Sequence, residues 1–316
     1  MTPWTLRIAA FGLALSLAGG VAADTVADRQ AAFSRGDYAT ALQLVRPAAE
    51  QGDAEAQFSL GAMYERGLGV PQDDAQAVAW YRKAADQGSV VAQYNLGLMY
   101  FHGRGVPQDG VQAITWFRKA ADQGLAAAQF NIGVTYDEGR GVPRDEAQAL
   151  AWYHKAADQG YAEAQYNLGM NYANGQGVPQ DDAQALAWFR KAADQEFAAA
   201  QHNLGVMYAL GRGTRKDDVQ AASWYRKAAD QGYVAAQYNL GGMYANGRGV
   251  PQDLGQAYLW FRLAALRATD GQVRERAEGN LARAATSMTT AQIAEAQRRA
   301  AAWVPTSKAS ERAQLR

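Results

Sequence analysis

The sequence predicts an all-α solenoid of paired antiparallel helices, and three observations predict it. The chain repeats itself with a period of 36 residues. Apolar positions inside each period fall at helical spacing in two sets, and a Gly- and Pro-rich stretch separates the sets. The unit "GDAEAQFSLGAMYERGLGVPQDDAQAVAWYRKAADQ" runs from Gly52 to Gln87 and returns in register from Gly88, Gly124, Gly160, Glu196 and Gly232. Six units fill residues 52–267 without an insertion. A period of this length marks an array whose units bury their apolar faces on their neighbours.

The first helix of a unit follows from Ala56, Leu60, Gly61 and Tyr64, which share one face at a period near 3.6. The second follows from Ala77, Trp80, Ala84 and Ala85. Between them "RGLGVPQD" holds too much Gly and Pro to continue either helix, so each unit is a helix hairpin. Asp73, Asp109, Asp145, Asp181, Asp217 and Asp253 start the second helices, each with Gln three residues on, the form of a capping box. Gly88, Gly124, Gly160 and Gly232 stop them, where a left-handed residue is needed. Glu196 replaces that Gly once; its helix either ends differently or carries the strain of a non-Gly residue there, about 1 kcal/mol. Gly61, Gly97, Gly133, Gly169, Gly205 and Gly241 stand inside first helices, where Gly costs about 1 kcal/mol against Ala. Their recurrence predicts a close helix crossing, with the rings of Trp80, Trp116, Trp152, Trp188, Trp224 and Trp260 filling the adjoining space.

Units of the form "A-x-x-x-L-G-x-x-Y-x-x-G-x-G-V-x-x-D" followed by "A-x-x-W-[YF]-x-K-A-A-x-x-G" resemble Sel1-like repeats, relatives of the tetratricopeptide repeat, over residues 52–267. The closing "MTTAQIAEAQRRAAAW", Met288 to Trp303, is similar to the last helix of many bacterial proteins of this kind. The resemblance implies a right-handed αα superhelix with first helices lining the concave surface, and a role as adaptor or scaffold. Some members resemble penicillin-binding or β-lactam-hydrolysing proteins, but those are Cys-rich, and this chain has no Cys.

The ends read as caps. Residues 24–51 form a tetratricopeptide-like helix pair with its turn at Gly36-Asp37 and its buried side at Ala41, Leu42 and Val45; residues 268–303 cover the last core edge, and 304–316 form a polar, flexible tail. Residues 1–23 combine Arg7, an apolar run from Ile8 to Leu17 and Val21-Ala22-Ala23, so they read as an export signal cleaved near Ala23. The expected location is the periplasm or beyond it. With 31 basic and 31 acidic residues, and Arg7 leaving with the signal, the mature net charge is near −1. Such balance offers no long-range attraction to nucleic acid or anionic lipid, partners that usually require a basic surface. No later apolar run is long enough to span a bilayer.

No Gly-x-Ser-x-Gly elbow, His-Glu-x-x-His pair or Walker lysine occurs, and His102, His154 and His202 occupy three different repeat positions. The paired aspartates lack the alternating ligands of a calcium loop. No catalytic residue, cofactor or metal is therefore expected. The Gly-x-Gly loop ends on Asp253 and its counterparts, whose carboxylates take the helix N-terminus an anion would need, so its glycines turn the chain.

A protein or peptide partner, expected to be a cell-envelope component, has a better footing. Asn95, Asn131, Asn167, Asn203 and Asn239 precede successive Leu/Ile-Gly pairs. If first helices are concave, these amides suit the backbone of an extended peptide. One position earlier, Tyr94, Phe130, Tyr166, His202 and Tyr238 offer apolar area and polar tips. The alternative is internal: Asn bonding the neighbouring repeat, and aromatics packing between helices. A glycan-binding module and a cell-wall or β-lactam-hydrolysing enzyme are the competing functional classes.

Overall fold

The computed structural model describes residues 20–306. The predicted leader lies outside the described residues except for 20–23, as do residues 307–316 of the predicted tail. All regular structure among the described residues is α-helical, in antiparallel pairs that make an all-α solenoid, and it divides into two compact units at Gln108 and Asp109. The first holds α1 (Gly20–Ser34), α2 (Tyr38–Glu50), α3 (Ala54–Arg66), α4 (Asp74–Asp86) and α5 (Val90–His102). The second holds α6 (Gly110–Asp122), α7 (Ala126–Glu138), α8 (Glu146–Asp158), α9 (Ala162–Asn174), α10 (Asp182–Asp194), α11 (Ala198–Leu210), α12 (Asp218–Asp230), α13 (Val234–Asn246), α14 (Leu254–Arg267), α15 (Gly271–Ala285) and α16 (Thr290–Ala302). At the N-terminal end Asp37 caps α2 and Ala41, Val45 and Ala49 are buried, whereas Leu42 is half-buried. At the other end α15 and α16 both pack on α14, Pro305 is buried, and Thr306 Oγ1 donates to the Asp230 carbonyl at 3.3 Å.

Each of the six aspartates caps its helix: its carboxylate accepts from the N–H three residues on, at 2.9–3.0 Å. The return bond expected from the Gln side chain is not made there; the complete reciprocal box stands at Thr289 and Gln292. The reason is competition. The backbone N–H of Asp73, Asp145, Asp181, Asp217 and Asp253 already donates to a tyrosine carbonyl of the preceding helix: Tyr64, Tyr136, Tyr172, Tyr208 and Tyr244 respectively. That bond closes the loop onto the first helix and leaves the Gln nothing to accept.

At the other end Gly88, Gly124, Gly160 and Gly232 have φ between 86° and 91°, and Glu196 joins them at φ 62°. Glu196 therefore carries the strain that its neighbours avoid. We expect Glu196→Gly to raise stability by about 1 kcal/mol, less the extra backbone entropy of Gly; an unmoved denaturant midpoint would show that the strain is absorbed elsewhere.

The helix crossing is close, but the ring that occupies it is not the Trp. A Cβ on Gly61, Gly133, Gly169, Gly205 or Gly241 would lie 2.5–2.8 Å from the ring of Tyr81, Tyr153, Phe189, Tyr225 or Phe261, the residue after each Trp. Successive residues on a helix point about 100° apart, so the Trp is turned away from the crossing. Trp80, Trp116, Trp152, Trp188 and Trp224 instead lie under Lys83, Lys119, Lys155, Lys191 and Lys227, with each ammonium 3.7–3.9 Å from its ring centroid. In the last repeat Leu263 takes the Lys position, and Trp260 meets Trp303 edge-on at 6.3 Å.

Adjacent repeats are joined by buried amides. Gln57, Gln165, Gln201 and Gln237 donate through Nε2 to Ala49, Ala157, Ala193 and Ala229 carbonyls in the last turn of the preceding helix, at 3.1–3.2 Å. The Oε1 of Gln57, Gln129, Gln165 and Gln201 accepts from Gln87, Gln159, Gln195 and Gln231 at 2.7–2.9 Å. Gln237 Oε1 has no partner, because Arg267 stands where the next Gln would be and stacks on Trp303. Gln165→Leu removes both bonds, so Gln195 loses its acceptor and the Ala157 carbonyl keeps only the N–H groups at the end of its own helix. We expect a loss of roughly 1–3 kcal/mol in a urea melt of the full chain.

Candidate functional site

The first helices of the second unit present one shielded face. In α7, α9, α11 and α13 only the final residue of each is exposed, whereas α8, α10 and α12 expose positions all along their outer sides. Burial holds the Tyr166 hydroxyl above its ordinary range, and Tyr233 of another repeat adds to the effect.

The candidate residues sit on that face as partners of the adjoining repeat. Phe130 and Asn131 are buried; Tyr166, Asn167, His202, Asn203, Tyr238 and Asn239 are half-buried. In the first unit Tyr94 and Asn95 on α5 are also half-buried. The aromatic position stacks inward on the ring that fills the Gly crossing: Phe130 on Tyr153, Tyr166 on Phe189, His202 on Tyr225 and Tyr238 on Phe261, at 5.6–5.8 Å between centroids. It also meets the residue that opens the next first helix: Phe130–Tyr161, Tyr166–Phe197 and His202–Tyr233, each at 5.3 Å. Tyr161, Phe197 and Tyr233 occupy N-cap positions and give no side-chain cap, unlike Asp53 and Ser89. Ring packing between repeats replaces a helix cap there.

The asparagines are polar links in the same stack. Asn203 Nδ2 contacts Met170 Sδ at 3.2 Å, and Asn203 Oδ1 lies 3.2 Å from His202 Nδ1. Asn239 Nδ2 reaches His202 Nε2 at 3.1 Å. These contacts suit a neutral imidazole protonated at Nδ1, and burial holds the His202 pKa below its ordinary value against the opposing Asn203 bond. Burial likewise pushes the Tyr225 hydroxyl up to about 12, opposed by Arg248 and by a bond to Asn239. His154 meets Trp188 edge-on, with 5.7 Å between ring centroids. Among the described residues no three His, Asp or Glu side chains are grouped to hold a metal, and no helix is long and apolar enough to cross a membrane.

Two recurring devices escaped the sequence reading. One is the Gln pair, visible as the Gln directly after Ala in each first-helix opening, from Ala56-Gln57 to Ala236-Gln237, and again at the end of the second helix. The other is the Arg between the loop glycines. Arg104 bonds Asp74 at 2.7 Å and Glu65 at 2.8 Å, Arg212 bonds Asp182 at 2.6 Å, and Arg248 bonds Asp218 at 2.7 Å. The signal was present: where Gly110 replaces that Asp, Arg140 pairs with Glu138 instead.

Comparison with known proteins agrees with this architecture. The Sel1 repeat model matches residues 8–53, 54–89, 90–125, 126–161, 162–197, 198–233 and 234–268. A Sel1 repeat protein from Oxalobacter formigenes is similar at 32% identity and TM-score 0.66, over 76% of this chain and 96% of that one. The protein c5321, a protective antigen present in uropathogenic Escherichia coli strains, is similar at 34% identity and TM-score 0.52, over 88% of this chain and 67% of that one. A search of curated proteins gives no match. With a family model covering most of its length and an all-helical array to bear it, the chain belongs to the Sel1 repeat family.

Proposed function

We propose that the chain is an exported interaction scaffold that holds protein or peptide partners, cell-envelope components, on its first-helix face. The observation that carries this reading is the repeated Asn and aromatic pair on a face that each repeat presents again at fixed spacing. Asn203 and Asn239 are half-buried and already held by Met170 and His202, so a bound chain would order few side chains there, which favours affinity. Export rests on the leader-like residues 1–23, and the protective antigen among the similar proteins supports a location outside the cytoplasm.

Alanine replacement of Asn167, Asn203 and Asn239 together should abolish capture of specific envelope proteins while leaving the helical signal in place. Retention of every partner by a folded triple variant would remove the first-helix face from consideration.

A further inference from the structure

The first-helix row ends at α15, which packs on α14 and buries Ala277 against Ala264 and Ala265 beside Tyr238. There the chemistry changes. The Asn and aromatic positions of α9, α11 and α13 carry no charge, whereas α15 brings Arg276 and Arg283 to a cavity of about 530 Å3 that also includes Tyr238, Asn280, Gln272 and Glu275. The cavity has a built polar edge: Asn280 Nδ2 donates to Tyr238 Oη at 3.0 Å, and Arg283 Nη1 donates to Asn280 Oδ1 at 3.2 Å. Having accepted, the Tyr238 hydroxyl keeps its own proton to donate. Arg276 and Arg283 form no ion pair among the described residues, unlike Arg104, Arg212 and Arg248 in the repeat loops. Glu275 is the one carboxylate in the lining, and it is exposed.

Two guanidinium groups and a phenol lining one cavity offer a donor set for a single anion. An uncharged amide and aromatic row suits a peptide backbone, and positive charge at one end suits a ligand whose charge is also at one end. We propose that this pocket takes the C-terminal carboxylate of a peptide lying along the first helices. The inference rests on the peptide-binding reading above and gives that peptide a direction, with its C-terminus at α15.

The test uses the full chain and an array of random decapeptides tethered by their N-termini, half with free carboxylates and half amidated. Binders are expected in the free-carboxylate half, with affinity at least about tenfold weaker for the amidated copy and for Arg276→Gln or Arg283→Gln. Both arginines are exposed, so the thermal midpoints of these variants should match that of the parent chain. Equal binding of amidated copies, or wild-type affinity in both Arg variants, overturns the pocket and leaves the peptide reading standing. Amidated peptides that bind only when they contain Asp or Glu, and lose binding with Arg276→Gln, overturn the terminal assignment in favour of a side-chain carboxylate. Absence of binders in both halves counts against the peptide reading itself.

Discussion

Gly249→Ala is expected to destabilise the second unit by roughly 2–5 kcal/mol, through backbone strain plus overpacking. Gly249 has φ +66°, and a Cβ there would lie 1.9 Å from the Asp218 carbonyl oxygen and 2.3 Å from its carbon. The obstacle is backbone at the start of α12, which cannot swing aside as a side chain would. Gly213 meets the Asp182 carbonyl in the same way at 2.2 Å. A control separates the two causes: Gly160 has φ +86° with nothing within 4 Å of its would-be Cβ, so Gly160→Ala should cost only the left-handed strain of roughly 1–2 kcal/mol. Urea melts of the full chain give the comparison. Equal losses for the two substitutions would mean that repeat contact at Gly249 is not limiting.

Gly133→Leu should cost roughly 1–3 kcal/mol by overpacking the crossing of α7 and α8. A Cβ alone would stand 2.7 Å from Tyr153 Cδ1 and Cε1 and 3.1 Å from the Ala149 carbonyl. Tyr153 is 1% exposed, so its ring has no free direction of retreat. The assignment of the ring is testable by coupling. Combined with Tyr153→Ala, the Leu should do less damage than the two losses added together, because the space it needs has been vacated. Combined with Trp152→Ala, the losses should add. Relief from the Trp change alone would restore the sequence-based expectation that the Trp fills the crossing.

Much of this architecture was legible because repetition magnifies weak local signals. One Asp before one Gln is poor grounds for a helix start, but Asp73 to Asp253 at constant spacing specifies six. The mid-helix glycines were likewise readable as a close crossing, since only a steric need explains Gly133 and its counterparts in helices. What failed was direction. Trp152 and Tyr153 are neighbours in sequence, and only the helix phase decides which ring meets Gly133. The second loop glycine was readable as a turn residue, but its contact with the preceding repeat belongs to packing between units of the array. The same limit applies to Asn203 and His202. Their recurrence marks one face, while their bonds to Met170 and Asn239 depend on how the repeats stack.

The central claim is that the first-helix face holds the partner. Site-specific photo-crosslinking tests it most directly, with a benzophenone side chain placed at Met170 or Val206 on first helices and at exposed Ala187 or Ser223 on second helices. Each folded variant is irradiated in native envelope extract, and the adducts are identified by mass. A shared, specific adduct from Met170 and Val206 that Ala187 and Ser223 do not give is the predicted result. The same adduct from Ala187 and Ser223, with none from Met170 or Val206, would place the partner on the opposite face and contradict the account.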